Sequence, residues 1–195
     1  MYSQLNDDQI IERFFGSRTG RFLDIGANNG ITFSNSRALF DRGWEGVLVE
    51  PDPGAFFALL RNYPKKTGVH FYNVFVDTQD GVRPFHICND SLLSTGRAED
   101  KAIWTKQEYA DVFVSAVSVA RLLETVGFDF QFVSLDAEGL TFDLLKAFPL
   151  AQMNTELWCV EYDNHNYIAM KEYMGNAGYA VYDENALNLF FARRP

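Results

Sequence analysis

Cysteine, histidine and basic charge are all scarce in this chain of 195 residues. There are only two cysteines, Cys88 and Cys159, each within an apolar stretch (FHIC and LWCV). That is too few for a disulfide framework and too widely spaced for a zinc site. They read as buried free thiols in a reducing compartment. The three histidines, His70, His86 and His165, also lack zinc-type spacing. Neither a Gly-x-Ser-x-Gly elbow nor a Walker loop occurs. No apolar run approaches the roughly 18 residues of a membrane helix. The opening MYSQLNDDQIIERFF carries acids where a secretory signal needs bases. The expectation is a cytoplasmic protein without membrane contact. Lys and Arg total 17 against 26 Asp and Glu, a net charge of −9. Such a balance argues against a partner as polyanionic as nucleic acid.

What is present suffices for one core. Hydrophobic residues make up 47% and the length suits a single domain over residues 1–195. Short apolar runs alternate with amphipathic stretches, the pattern of βα units. A first helix, capped by Asp7 or Asp8, runs to about Gly16 within an N-terminal segment of residues 1–19. Strands are expected at 21–25, 46–50, 69–77, 130–136 and 155–163, with an antiparallel pair at 178–184 and 188–194. Helices are expected at about 33–42, from Pro53 to Tyr63, and at 117–127, 140–148 and 167–178. Asp80-Gly81 signals a turn, after which 82–88 returns as a hairpin arm. Residues 89 to 111 show no period and read either as a substrate-covering segment or as a surface excursion. Trp104 and Tyr109 within it are either acceptor-stacking rings or core aromatics. The sum is an α/β fold: a Rossmann-like three-layer sandwich on a mostly parallel seven-stranded sheet whose last strand is antiparallel.

The strongest local signal is Phe22-Leu23-Asp24-Ile25-Gly26-Ala27-Asn28-Asn29-Gly30. A buried strand ends in a carboxylate, and a glycine loop then opens a helix. Gly26 and Gly30 permit tight turning and the approach of a ligand without a Cβ in the way. The spacing Asp-x-Gly-x-x-x-Gly is not the Gly-x-Gly-x-x-Gly dinucleotide fingerprint. An acid beside the loop suits a cationic group better than a phosphate. The following strand ends in Val49-Glu50-Pro51-Asp52. A carboxylate at that strand end can accept both hydrogen bonds of a ribose diol.

These segments resemble class I S-adenosylmethionine-dependent methyltransferases, and more specifically the FkbM family. FLDIGANNG (22–30), VLVEPDP (47–53), FYNVFVDTQDG (71–81), SLLSTG (91–96) and SLDAEGLTFDLLKAF (134–148) carry the resemblance. It implies S-adenosylmethionine as cofactor, with Asp24, Gly26, Ala27, Asn28 and Gly30 around its methionine part. It also implies Glu50 on the ribose, Pro51 and Asp52 beside the adenine, and Asp77 at the adenine edge, where Val76 or Asn73 are alternatives. The implied chemistry is O-methylation of a small-molecule or sugar hydroxyl.

A hydroxyl is a poor nucleophile until it is deprotonated, so a base or a metal is needed. Acids at the ends of neighbouring strands supply the candidates: Asp136, Glu138, Glu161 and Asp163, with His165 close behind. Asp136, Asp163 and Asn164 form a hard-oxygen set suited to Mg²⁺. The metal-free alternative uses Asp136 or His165 as base and Glu138 or Glu161 to orient the acceptor; Glu138 as a helix cap is a third reading. From a different class, a non-catalytic module that binds S-adenosylmethionine also fits this fold, and an NAD enzyme is disfavoured by the loop. The acids gather at one predicted sheet edge, which suits a ligand bearing a sulfonium and an ammonium.

Overall fold

The computed structural model describes residues 2–63, 68–103, 105–137, 139–163 and 165–194. The helices are α1 (Asp7–Phe15), α2 (Arg37–Asp41), α3 (Pro53–Asn62), α4 (Val119–Val126), α5 (Thr141–Ala147) and α6 (Tyr167–Asn176). The strands are β1 (Arg21–Ile25), β2 (Glu45–Val49), β3 (Val69–Tyr72), β4 (Phe75–Asp77), β5 (Gly81–Cys88), β6 (Tyr109–Ser118), β7 (Phe132–Leu135), β8 (Leu157–Glu161), β9 (Tyr179–Glu184) and β10 (Asn188–Arg193).

Seven strands form one sheet in the order β3-β2-β1-β7-β8-β10-β9. The first five run parallel, and β10 is antiparallel to both β8 and β9. This is the mostly parallel sheet with an antiparallel last strand that the sequence suggests. Alternate residues of each central strand feed opposite faces, as a pleat with a period of two requires. Leu23, Val47, Val133 and Trp158 join one apolar cluster, with Val119 and Leu122 of α4, Leu144 of α5 and Met170 of α6. Their neighbours Phe22, Leu48, Phe132 and Leu157 join the other, with Ile10 of α1, Leu39 of α2 and Leu59 of α3. Both faces are covered, which explains why these strands read as continuous apolar runs. The chain builds outward from β1 to β3 and then returns to β7 on the far side of β1. That reversal opens a crevice at the carboxyl ends of β1 and β7.

Several expectations are corrected. The strand expected at 69–77 divides: β3 stays in the large sheet, while β4 joins a second, three-stranded sheet in the order β4-β6-β5. The segment 82–88 does not fold back on its predecessor, because β6 lies between them, parallel to β4 and antiparallel to β5. β6 itself arises from residues read as unpatterned and as the start of a helix. Its inner face carries Val112, Val114 and Ala116 against Phe75 and Phe85. Its outer Phe113 is 79% exposed, and that apolar outward residue masks the alternation. The helix therefore begins at Val119, with Ser118 Oγ accepting from the Arg121 N–H (3.2 Å). The α2 helix covers only Arg37–Asp41, since Phe33 at φ +58° cannot lie in a helix. At α1 the capping position belongs to Asn6, and Asp8 instead accepts from the Tyr2 N–H (2.5 Å). α3 starts at Pro53 as expected, and its cap is Asp52, expected instead beside the adenine, which accepts from the Gly54 and Ala55 N–H groups.

Candidate active site

The loop from β1 to α2 is shaped by its glycines, which leave room for close contact within the protein. Gly26 sits at φ +86°, and a Cβ there would lie 1.8 Å from the Asp136 carbonyl oxygen. Gly30 sits at φ +70°, and its Cβ would lie 2.4 Å from Leu59 Cδ1. The first absence lets the end of β1 lie against the end of β7; the second lets the loop rest on α3. The Gly26 and Ala27 N–H groups both donate to the Val49 carbonyl, at 3.0 and 3.1 Å, which ties the loop to the end of β2.

Glu50 is the hub of this corner and is 5% exposed. One of its oxygens accepts from the Asn28 N–H at 2.8 Å and the other from the Asp52 N–H at 2.7 Å. Asn73 holds the chain on either side by donating from Nδ2 to the Glu50 and Pro51 carbonyls, at 2.7 and 3.1 Å. Burial pushes the Glu50 carboxyl up to about 8, against the opposing pull of its two backbone donors. The nearby charges of Asp52 and Asp136 add to the rise. Asp24 is buried on β1 and accepts from Ser36 Oγ at 2.5 Å. Burial raises it to about 6, with Asp136 contributing in the same direction. A pocket that holds its acids partly neutral favours a ligand that restores their charge by donating hydrogen bonds or bringing positive charge.

Two adjoining cavities open here. The larger, about 650 Å³ counted out to its mouth, is lined by Gly26, Asn28, Glu50, Pro51, Val76 and Asp136, and roofed by Ser91 to Gly96. The smaller, about 340 Å³ counted the same way, includes Asp24, Ala27, Phe33, Asn35, Ser134 and Asp136. Gly26, Asn28, Leu92 and Asp136 border both. The roof is pinned by hydrogen bonds from Ser91 Oγ to Asn28 Oδ1 (3.1 Å) and from Ser94 Oγ to Asp52 Oδ2 (3.0 Å). Arg97 Nη1 adds a third by donating to the Gly139 carbonyl (2.8 Å).

The remaining expected residues separate into groups. Asp136 and Glu161 come together as a hydrogen-bonded carboxyl pair, and burial raises Asp136. Asp52 borders neither cavity; its oxygens serve the α3 cap and Ser94. Asp77 likewise stands outside both, in an ion pair with Arg83 Nε at 2.6 Å, while Val76 takes the lining position. Asp163 spends its oxygens on the turn into α6, accepting from the His165 and Asn166 N–H groups (2.8 and 2.9 Å) and from Asn166 Nδ2 (2.8 Å). His165 is exposed in that turn. Glu138, Asn164 and Trp104 lie outside the described residues. Among the described residues, no group of three or more His, Cys, Asp or Glu side chains is placed to hold a metal ion. The donor set expected for Mg²⁺ is thus not assembled by the residues that can be described.

Phe75, Phe85, Ser134 and Asn35 also line the cavities, and the sequence offered little to find them. Phe85 arrives through the second sheet, whose pairing was not legible. Ser134 lies inside a strand that reads as pure core. Of the two remaining histidines, His86 is buried with Nδ1 2.7 Å from Asp111 Oδ1, and His70 is exposed on β3.

Comparison with solved structures returns methyltransferases of the same fold. The N-terminal domain of human METTL16 aligns with a TM-score of 0.54 at 14% identity, over 98% of this chain and 69% of that one. A ribosomal protein L11 methylase from Lactobacillus delbrueckii subsp. bulgaricus aligns with a TM-score of 0.53 at 12% identity, over 97% and 77%. At such identities the likeness concerns the fold alone. No curated protein matches significantly by sequence. Among the described residues, no helix is long and apolar enough to cross a membrane. The model of the methyltransferase FkbM domain matches residues 24–181, and the chain therefore belongs to the FkbM family of S-adenosylmethionine-dependent methyltransferases.

Proposed function

We propose that this protein transfers a methyl group from S-adenosylmethionine to a hydroxyl of a small molecule or sugar. The observation that carries the reading is Glu50, a buried carboxyl at the end of β2. It is held by two backbone donors at the wall of a cavity that continues past Gly26 to Asp136. Each Glu50 oxygen accepts one backbone hydrogen bond and keeps capacity for a second, from a ribose hydroxyl. The apolar walls at Ile25, Val49, Val74, Val76 and Phe85 suit an adenine ring. Asp24 and Asp136 place negative potential beside the smaller cavity, which fits the ammonium and sulfonium of the cofactor.

When bound, the cofactor supplies a methyl carbon already activated by positive sulfur. The protein's tasks are then to orient the acceptor and to receive its proton. Asp136 borders both cavities and is paired with Glu161. In such a pair one carboxyl holds a proton while the other stays ionised, since like charges in contact resist double ionisation. The ionised member would accept the hydroxyl proton, and the protonated partner would steady it by donating a hydrogen bond.

The test pairs calorimetry with S-adenosylhomocysteine and labelled methyl transfer to a panel of glycosides and small alcohols. Binding with transfer to oxygen supports the reading. Tight binding without any turnover assigns the chain to a non-catalytic role. Transfer only to RNA or protein replaces the acceptor class.

A further inference from the structure

Asn35 is a polar side chain whose hydrogen bonds are half made. It lies in the segment leading into α2 and forms part of the wall of the smaller cavity, with Asp24, Gly26, Ala27 and Asn28. Its Nδ2 donates to Ser134 Oγ at 3.2 Å and to Cys159 Sγ at 3.5 Å, which uses both N–H bonds of the amide. Its Oδ1 is buried and finds no donor among the described residues. Buried acceptors left in that state are uncommon in native proteins. Turning the amide over does not relieve it. Ser134 also hydrogen-bonds Asp24, whose carboxyl, raised to about 6, is mostly ionised at neutral pH. A carboxylate only accepts, so the Ser134 hydrogen goes to Asp24 and the Ser134 oxygen needs a donor. A reversed amide would set its own oxygen against that oxygen. The chain from Asp24 through Ser134 to Asn35 therefore fixes the amide and leaves Oδ1 open to a ligand.

We propose that Asn35 Oδ1 receives an N–H of the cofactor's ammonium group, and that Asp24 supports this contact from behind through Ser134. The proposal rests on the S-adenosylmethionine reading of the site. The chemistry of the oxygen selects among the groups at that end of the cofactor. A sulfonium has no N–H or O–H to give, and a carboxylate would meet Oδ1 oxygen to oxygen. The ammonium alone brings a donor. Its charge suits the place, since Asp24 and Asp136 border the same cavity. The contact also leaves intact the hydrogen bond by which Asp24 accepts from Ser36 Oγ at 2.5 Å. Asn35 stands outside the glycine loop, to which the resemblance assigns the methionine part. Asp24 and Ser134 are positioning residues in this scheme, and Asn35 is the one that touches the cofactor.

The experiment is calorimetry on the full chain with three ligands. S-adenosylhomocysteine carries both the ammonium and the carboxylate. Its deaminated analogue keeps the carboxylate and has hydrogen in place of the ammonium. 5′-Methylthioadenosine lacks the amino-acid end altogether. The wild type binds S-adenosylhomocysteine more tightly than the deaminated analogue. Asn35→Leu, which keeps the volume, and Asn35→Ala, which lowers it, bind S-adenosylhomocysteine about tenfold to a hundredfold more weakly, the range for a hydrogen bond to a charged group. Both variants bind the deaminated analogue and 5′-methylthioadenosine as the wild type does. A merely structural role for Asn35 would move all three affinities together.

Four results overturn the proposal: variants that match the wild type toward S-adenosylhomocysteine, a loss equal for all three ligands, a loss shared by the deaminated analogue, which assigns Asn35 to the carboxylate, or a wild type indifferent to removal of the ammonium. The last needs no variant and holds even if both substitutions fail to fold. A wild type that binds neither S-adenosylhomocysteine nor 5′-methylthioadenosine sinks the S-adenosylmethionine reading itself, which is a separate outcome.

Discussion

Replacing Glu50 with glutamine tests the electrostatic picture of the site most directly. Glu50 is raised from 4.5 to about 8 in the folded protein. Between those two values the native state holds a proton that the unfolded chain releases. Stability is therefore greatest below about pH 4.5 and declines as pH rises toward 8. At about 1.4 kcal/mol per pH unit, the loss between pH 5.5 and 7.5 is about 3 kcal/mol from this one group. Glutamine cannot ionise, so the variant lacks that slope. It also offers one acceptor where Glu50 offers two, and leaves the N–H of Asn28 or Asp52 without a partner. That costs about 1–3 kcal/mol at low pH. The two stability curves therefore converge as pH rises and meet near pH 7.5. Denaturant midpoints at pH 5.5, 6.5, 7.5 and 8.5 measure this. Curves that stay parallel refute a raised Glu50. The same shift makes cofactor binding a proton-releasing step. A ribose diol donating to the carboxyl favours its ionised form, so up to about one proton leaves at pH 7. Calorimetry in buffers of different ionisation enthalpy reads that number directly, and no release at pH 7 counts equally against the argument.

Other substitutions separate the roles of the remaining residues. Asp136→Asn keeps S-adenosylhomocysteine affinity but lowers kcat by about 10²–10⁴, the range for a lost general base; unaltered turnover removes Asp136 from the chemistry. Gly26→Ala forces a Cβ against the Asp136 carbonyl and lowers stability by roughly 2–4 kcal/mol, read as a lower denaturant midpoint. Asp24→Asn removes a group raised to about 6, and so flattens the fall in stability between pH 4 and 6 while weakening cofactor binding. Ser94→Ala frees one oxygen of Asp52, takes the acceptor from the buried Cys88 N–H (3.0 Å) and loosens the roof, so faster hydrogen exchange over residues 89–96 is expected, with a loss of about 1–3 kcal/mol.

Composition and local pattern were enough to establish the sheet, the glycine loop and the acid that ends β2. The strands of the large sheet are buried on both faces and bear continuous apolar runs, and such runs can be read without knowing what packs on them. The loop at Gly26 and the start of α3 at Pro53 follow from backbone chemistry confined to a few neighbouring residues. Pairing across long separations is different in kind. β6 is strand because β4 and β5 flank it, and nothing inside Tyr109–Ser118 states that. The side chains that close the site, Phe85, Ser94 and Asn35, come from three separate segments whose meeting depends on that second sheet and on the course of the roof.

The sequence determined by itself which carboxyls end which strands. Only the tertiary structure decided which of them face a cavity. Asp24, Glu50 and Asp136 line the crevice, whereas Asp52, Asp77 and Asp163 turn to a helix cap, an arginine and a tight turn. The physical reason is that a strand end fixes where a Cα lies, but the hydrogen-bond donors brought near it by distant segments decide where the carboxylate points.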